Sequence, residues 1–185
     1  MQITKFEPAN IPGTAGDMIR NLNGYWRDQN GIFRSGMPHS NSLLLYVNWA
    51  DGENLPKMGY LGKKSFLNEI MEGQFGEDYS ASVQNQDPRF YQTAAAGFVE
   101  ASKGHMVADR IEMEVTPPGH LKPYPVDYFR IIRRFQIGVT GLRTPNYILS
   151  VLVVPTDEWR IWHGREYLNE SWSRTRNSLR VHQVS

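Results

Sequence analysis

Five histidines, nineteen carboxylates and twenty basic side chains are the groups with which this chain could do chemistry. Their spacing decides which chemistry. His39, His105, His120, His163 and His182 stand apart, and none forms a close ligand pair with a carboxylate in sequence. His163 with Asp157 or Glu158 comes nearest to a metal-ligating set, but the same residue types are ordinary solvated side chains, so no metal and no cofactor is expected. No Gly-x-Ser-x-Gly elbow exists, and Ser35 and Ser102 sit in turn contexts. With no cysteine, thiol nucleophiles, thiolate zinc and disulfides are excluded. The stretch Gly59-Tyr-Leu-Gly62-Lys63-Lys64-Ser65 puts a lysine and a serine before a helix but lacks the spacing of a phosphate loop. The acidic pairs Asp51/Glu53, Glu77/Asp78 and Asp157/Glu158 fall in loops, and glycosidase chemistry needs two carboxyls across one cleft, which only tertiary structure can bring about. No catalytic residue is assigned.

The arginines carry more information. Arg130, Arg133 and Arg134 interrupt an otherwise apolar strand containing Phe129, Ile131, Ile132 and Phe135. Strand alternation puts Arg133 on the face of Phe129, Ile131 and Phe135, and puts Arg130 and Arg134 together on the opposite face. An exposed pair of this kind serves either solubility or docking on an acidic partner, because the guanidinium fork holds carboxylates at two points. Arg160, Arg174 and Arg176 lie in neighbouring elements and would extend such a surface. Phe6, Tyr25 and Trp26 are the apolar anchors of a polar N-terminal segment, whereas Trp49, Trp159, Trp162 and Trp172 read as core.

The elements that must position these groups are read from periodicity and punctuation. Residues 1–30, with Pro8, Pro12, Gly13, Gly16 and Gly24, read as an extended, irregular arm with one helical turn over Asp17–Leu22. Strands are predicted over Gly31–Arg34 and Ser42–Trp49, and Asp51–Gly62 is predicted as a loop. A helix is capped by Ser65 and carries Phe66, Leu67, Ile70 and Met71, stopping near Gly73 and Gly76. Asp78–Arg89 reads as loop, Ala94–Ser102 and Val107–Val115 as strands, and Thr116–Pro125, rich in proline, as a stiff loop outside the sheet. Val126–Gly138, Pro145–Pro155 and Glu158–His163 are further predicted strands. Tyr147–Val154 is apolar on both alternating faces and so must be central. A final helix over Arg165–Val181 aims Leu168, Trp172 and Leu179 at the sheet. The predicted class is α+β, a mostly antiparallel sheet flanked by helices.

At 185 residues the chain is the size of one domain, expected to divide into the arm at 1–30 and a folded unit at 31–185. With 40% hydrophobic residues it is globular, and no apolar run is long enough to cross a bilayer. Net charge is +1, split between an acidic first hundred residues and a basic remainder. That asymmetry is too weak for nucleic acid to be a leading partner.

Three passages, Gly31–Val47, Leu55–Ile70 and Val126–Val181, together resemble the PsbP family of extrinsic lumenal proteins of photosystem II and their relatives. The likeness lies in the order of elements over about residues 31–182, and it departs from the family in the opening segment, where only Gly24-Tyr25-Trp26 remains. The resemblance implies an α-β-α sandwich and a non-enzymatic role in the thylakoid lumen, peripheral to the membrane and not inserted in it. The partners it implies are subunits of a photosystem, bound by a permanent subunit or an assembly factor. The family's metal-binding histidines find no match here, and none is carried over. On this reading the arm docks and can be removed without loss of folding. Two alternatives stay open: a chaperone-like module that holds apolar segments of a client, and a small cystatin-like α+β barrel enzyme with His163 or Asp127 in a cavity.

Overall fold

The computed structural model describes residues 2–47, 57–66, 68, 88–115, 123–137 and 147–163. Among these, seven strands form one sheet in the order β1-β5-β6-β7-β3-β4, with β2 attached to the end of β6. The strands are β1 Gln2–Lys5, β2 Ile32–Phe33, β3 Leu43–Val47, β4 Lys57–Leu61, β5 Val107–Val115, β6 Tyr124–Ile137 and β7 Tyr147–Pro155. All pairings are antiparallel except β2 with β6. Helix α1 spans Gly13–Asp28, α2 spans Pro88–Ser102, and the chain is helical again over 157–163, here α3. The class is therefore mixed α+β.

The apolar strand β7 lies between β6 and β3, with every residue from Ile148 to Pro155 buried. Its even positions, Ile148, Leu152 and Val154, join Phe129, Ile131 and Phe135 of β6 in a core covered by Ile11, Ala15, Ile19 and Leu22 from α1 and the turn before it. Its odd positions, Leu149, Val151 and Val153, join Ile111, Val126 and Ile132 in a second core with Phe98 and Ala101 of α2, Phe66, and Trp159 of α3. Both faces are thus occupied, which is why a strand without polar alternation was needed at the centre.

Several expectations are corrected. Residues 1–30 are not an irregular arm: β1 pairs with β5 from Gln2 to Lys5, and α1 is a sixteen-residue helix. Ala15, Ile19, Leu22 and Trp26 recur at helical spacing, and packing of that stripe outweighs the glycines in the segment. Ala94–Ser102 is helical, as three consecutive alanines favour. Residues 158–163 are helical because Thr156 caps them: its Oγ1 accepts the Trp159 amide at 3.2 Å, and Asp157 and Glu158 sit in the first turn, where negative charge is favourable. Part of the predicted 51–62 loop is β4, and Tyr124 and Pro125 begin β6, at a position β7 does not reach. Strand β5 lies inside the sheet, with β1 paired beyond it over Asp109–Glu112. Ser65 does act as a cap, its Oγ accepting the Asn68 amide at 3.2 Å. Leu67, Ile70, Met71, the stop at Gly73 and Gly76, and the helix predicted over Arg165–Val181 lie outside the described residues. Within the described residues no helix is long and apolar enough to cross a membrane.

Candidate functional site

On the face of the sheet that carries α1, Arg110 of β5 is paired with Asp127 of β6, and a second polar spot falls on one cross-strand row. Pairing registers Arg133 of β6 with Ser150 of β7, Ser150 with Leu45 of β3, and Leu45 with Tyr60 of β4. Arg133 is half-buried and Ser150 is 0% exposed, whereas Leu45 is partly and Tyr60 largely open. The row therefore runs from an enclosed polar end to an accessible edge.

Helix α1 closes the enclosed end. The Arg133 guanidinium lies 3.7 Å from the centre of the Trp26 ring, a cation–π stack. The indole is held from two directions. Its Nε1 donates to the Arg134 carbonyl at 2.8 Å, tying α1 to β6. Gly31, at φ +71°, follows the end of the helix and donates its amide to the Trp26 carbonyl at 2.8 Å. A side chain at residue 31 would meet both the left-handed backbone penalty and the indole edge, at 3.1 Å.

Arg133 has no acidic partner among the described residues. Burial holds its guanidinium below the usual value, as expected when no carboxylate offsets the lost hydration. Its Nε and the Ser150 Oγ are both buried without a hydrogen-bond partner among the described residues. Two unsatisfied polar atoms on adjacent strands of the same face are uncommon in a folded interior.

Arg130, Arg134 and Asp127, the other charged groups on β6, are engaged in structure. Arg130, expected at the surface, is 5% exposed and donates to Asp109, its direct cross-strand neighbour beneath α2. Arg134 shares that face, donating to the Ser102 carbonyl at the end of α2 (2.6 Å) with Tyr147 beneath it at 4.4 Å. Asp127 accepts two bonds from Arg110 (2.9 and 2.7 Å) and one from Thr156 (2.9 Å). This carboxylate raises the Arg110 pKa, chiefly through the hydrogen bonds, and ties the start of α3 to β6. Its lone pairs are committed to architecture.

The remaining sequence-derived candidates are dispersed. Phe6 packs edge-on against Phe129 at 5.6 Å, and the Tyr25 hydroxyl donates to the Arg34 carbonyl at 2.8 Å while its ring meets Phe135. Both are part of the core margin. Arg160 is exposed on α3, beside Ile161 and Trp162, which are 58% and 38% exposed. Trp159 is core, as expected, but Trp162 is not. Arg174 and Arg176, like Trp49 and Trp172, lie outside the described residues. His163 stacks on Trp159 at 4.5 Å, and no three of His, Asp and Glu converge as a metal site among the described residues. Arg133 stands outside the residues singled out from sequence, which favoured the charges on the other face. The signal was present: a cation at a core position of its strand.

No family model, curated protein or solved structure matches this chain.

Proposed function

We propose that this chain is a non-enzymatic binding subunit of PsbP-like architecture, a sheet between α1 on one face and α2 with α3 on the other. In this reading it docks in the thylakoid lumen on the exposed side of a photosynthetic membrane complex, as a permanent subunit or an assembly factor. One observation carries the binding part: Arg133, half-buried, backed by Trp26 and without an acidic neighbour among the described residues. Such an arrangement suits recognition, since a desolvated guanidinium gains from an acidic group supplied by a partner. The photosynthetic setting rests on the resemblance in element order.

The docking surface differs from the one anticipated from sequence. Arg130 and Arg134 are engaged beneath α2, and the segment 1–30 packs into the fold through β1 and α1, so the contact falls to Arg133 and Tyr60 on the α1 face, away from Arg160 on α3. The test is retention on isolated thylakoid membranes at low and high salt, with the intact chain and with Arg133→Gln. Saturable retention that falls with salt and with the substitution supports the reading. Equal recovery of both proteins in the unbound fraction at low salt would overturn it.

A further inference from the structure

We infer that the seam between Trp26, Arg133 and Ser150 is a binding site for a single carboxylate group. The inference rests on the binding reading above and specifies the chemistry of the contacting group. Three features argue for it.

The indole covers one face of the guanidinium, so the in-plane edge is what remains for a ligand. A carboxylate meets that edge with two parallel N–H···O bonds, which neither a neutral amide nor a hydroxyl can match. The charge also fits. Among the described residues, Arg130 and Arg134 point to the other face and Arg110, on this face, is taken by Asp127, so Arg133 is left as one positive charge in a desolvated seam, which balances one negative charge. A phosphate dianion would leave an excess charge partly buried, at a cost the seam has nothing to offset. Finally, Ser150 is fully buried directly across from Arg133 with a hydroxyl unpartnered among the described residues, so the polar end of the row has a second donor for which those residues supply no acceptor. Leu45 and Tyr60 continue the row toward the surface and offer apolar and aromatic contact to whatever carries the carboxylate.

The experiment is a titration of the full chain with sodium acetate, and in parallel with sodium phosphate and sodium chloride at matched ionic strength. The readouts are the side-chain Nε–H resonance of Arg133 and the indole N–H resonance of Trp26, the latter assigned with Trp26→Phe. An ion as small as acetate is expected to bind in the roughly millimolar range. The expected result is a saturable shift of both resonances with acetate, weakened about tenfold or more in Arg133→Gln. Arg133→Lys, which keeps the charge and most of the stem, serves if the glutamine variant does not fold, and it should also weaken binding because the two-point geometry is lost. Shifts that track ionic strength alone, or phosphate binding more tightly than acetate, would overturn the assignment. Acetate binding without any effect of Arg133→Gln on membrane retention would leave the site standing and remove the proposed function. Loss of retention without acetate binding would do the reverse.

Discussion

Two arginines three residues apart on β6 meet opposite fates because strand alternation sends them to different faces. Arg130 faces α2 and lies against Asp109, with Tyr46 and Tyr128 nearby. A buried pair of this kind is costly to break, because the survivor keeps its charge without a partner. Asp109→Ala should therefore destabilise the fold by about 3–5 kcal/mol, whereas the double replacement Asp109→Leu with Arg130→Met should come within a few kcal/mol of the parent. Urea unfolding midpoints of the three proteins decide this, and equal losses in the single and double variants would rule it out. Arg133 faces α1, where an aromatic ring replaces the carboxylate. Removing its charge leaves no orphaned acid among the described residues, so Arg133→Gln should cost far less stability than Asp109→Ala in the same assay.

At the scale of elements, the approach of α2 to the sheet is set by a residue with no side chain. A β-carbon on Gly97 would lie 2.7 Å from Arg130 Nη2 and 3.3 Å from Ile132 Cδ1. The arginine tip is the flexible end of a long side chain, but its ion pair holds it in place. Gly97→Ala in an exposed helix would gain about 1 kcal/mol from propensity. Here overpacking should outweigh that gain and leave the protein about 1–2 kcal/mol less stable. Thermal unfolding measures the sign directly, and a stabilised variant would show that α2 can move away from β6. The caps show the same dependence of elements on single groups. Thr156 receives the Trp159 amide and itself donates to Asp127, so one hydroxyl both starts α3 and fastens it to the sheet.

On the scale of the whole molecule, α1 belongs to the fold. Ile11, Ala15, Ile19 and Leu22 are buried against β6 and β7, each of the larger side chains contributing on the order of 1.5–3 kcal/mol before entropy is counted. Deleting residues 1–30 should abolish cooperative unfolding, in contrast to the removable arm expected from sequence. A truncated protein with a sharp thermal transition would restore the arm. The buried phenols supply a pH test of the intact core. Burial pushes Tyr128 from its ordinary value of 10.0 up to about 12 and raises Tyr46 further. Because the folded state holds these protons more tightly than the unfolded chain, their contribution is complete below pH about 10 and is lost as pH rises toward 12 and beyond. Alkaline titration should show tyrosinate absorbance from these two rings appearing together with loss of structure. Tyr128→Phe should retain structure to higher pH.

Periodicity in the chain was enough to determine the class, the central place of β7, the bounds of β5 and the cap at Ser65, because these depend on alternation and on local hydrogen bonding. The helices α1 and α3 were also written locally, in an apolar stripe at 15, 19, 22 and 26 and in the cap at Thr156-Asp157-Glu158, but glycine punctuation and an expected strand obscured them. What no local pattern could settle was which charges would meet. Asp109 and Arg130 are twenty-one residues apart, and Trp26 and Arg133 more than a hundred. Strand register and the path of α1 brought the first pair together and left Arg133 without an acid, and those depend on contacts between elements distant in sequence.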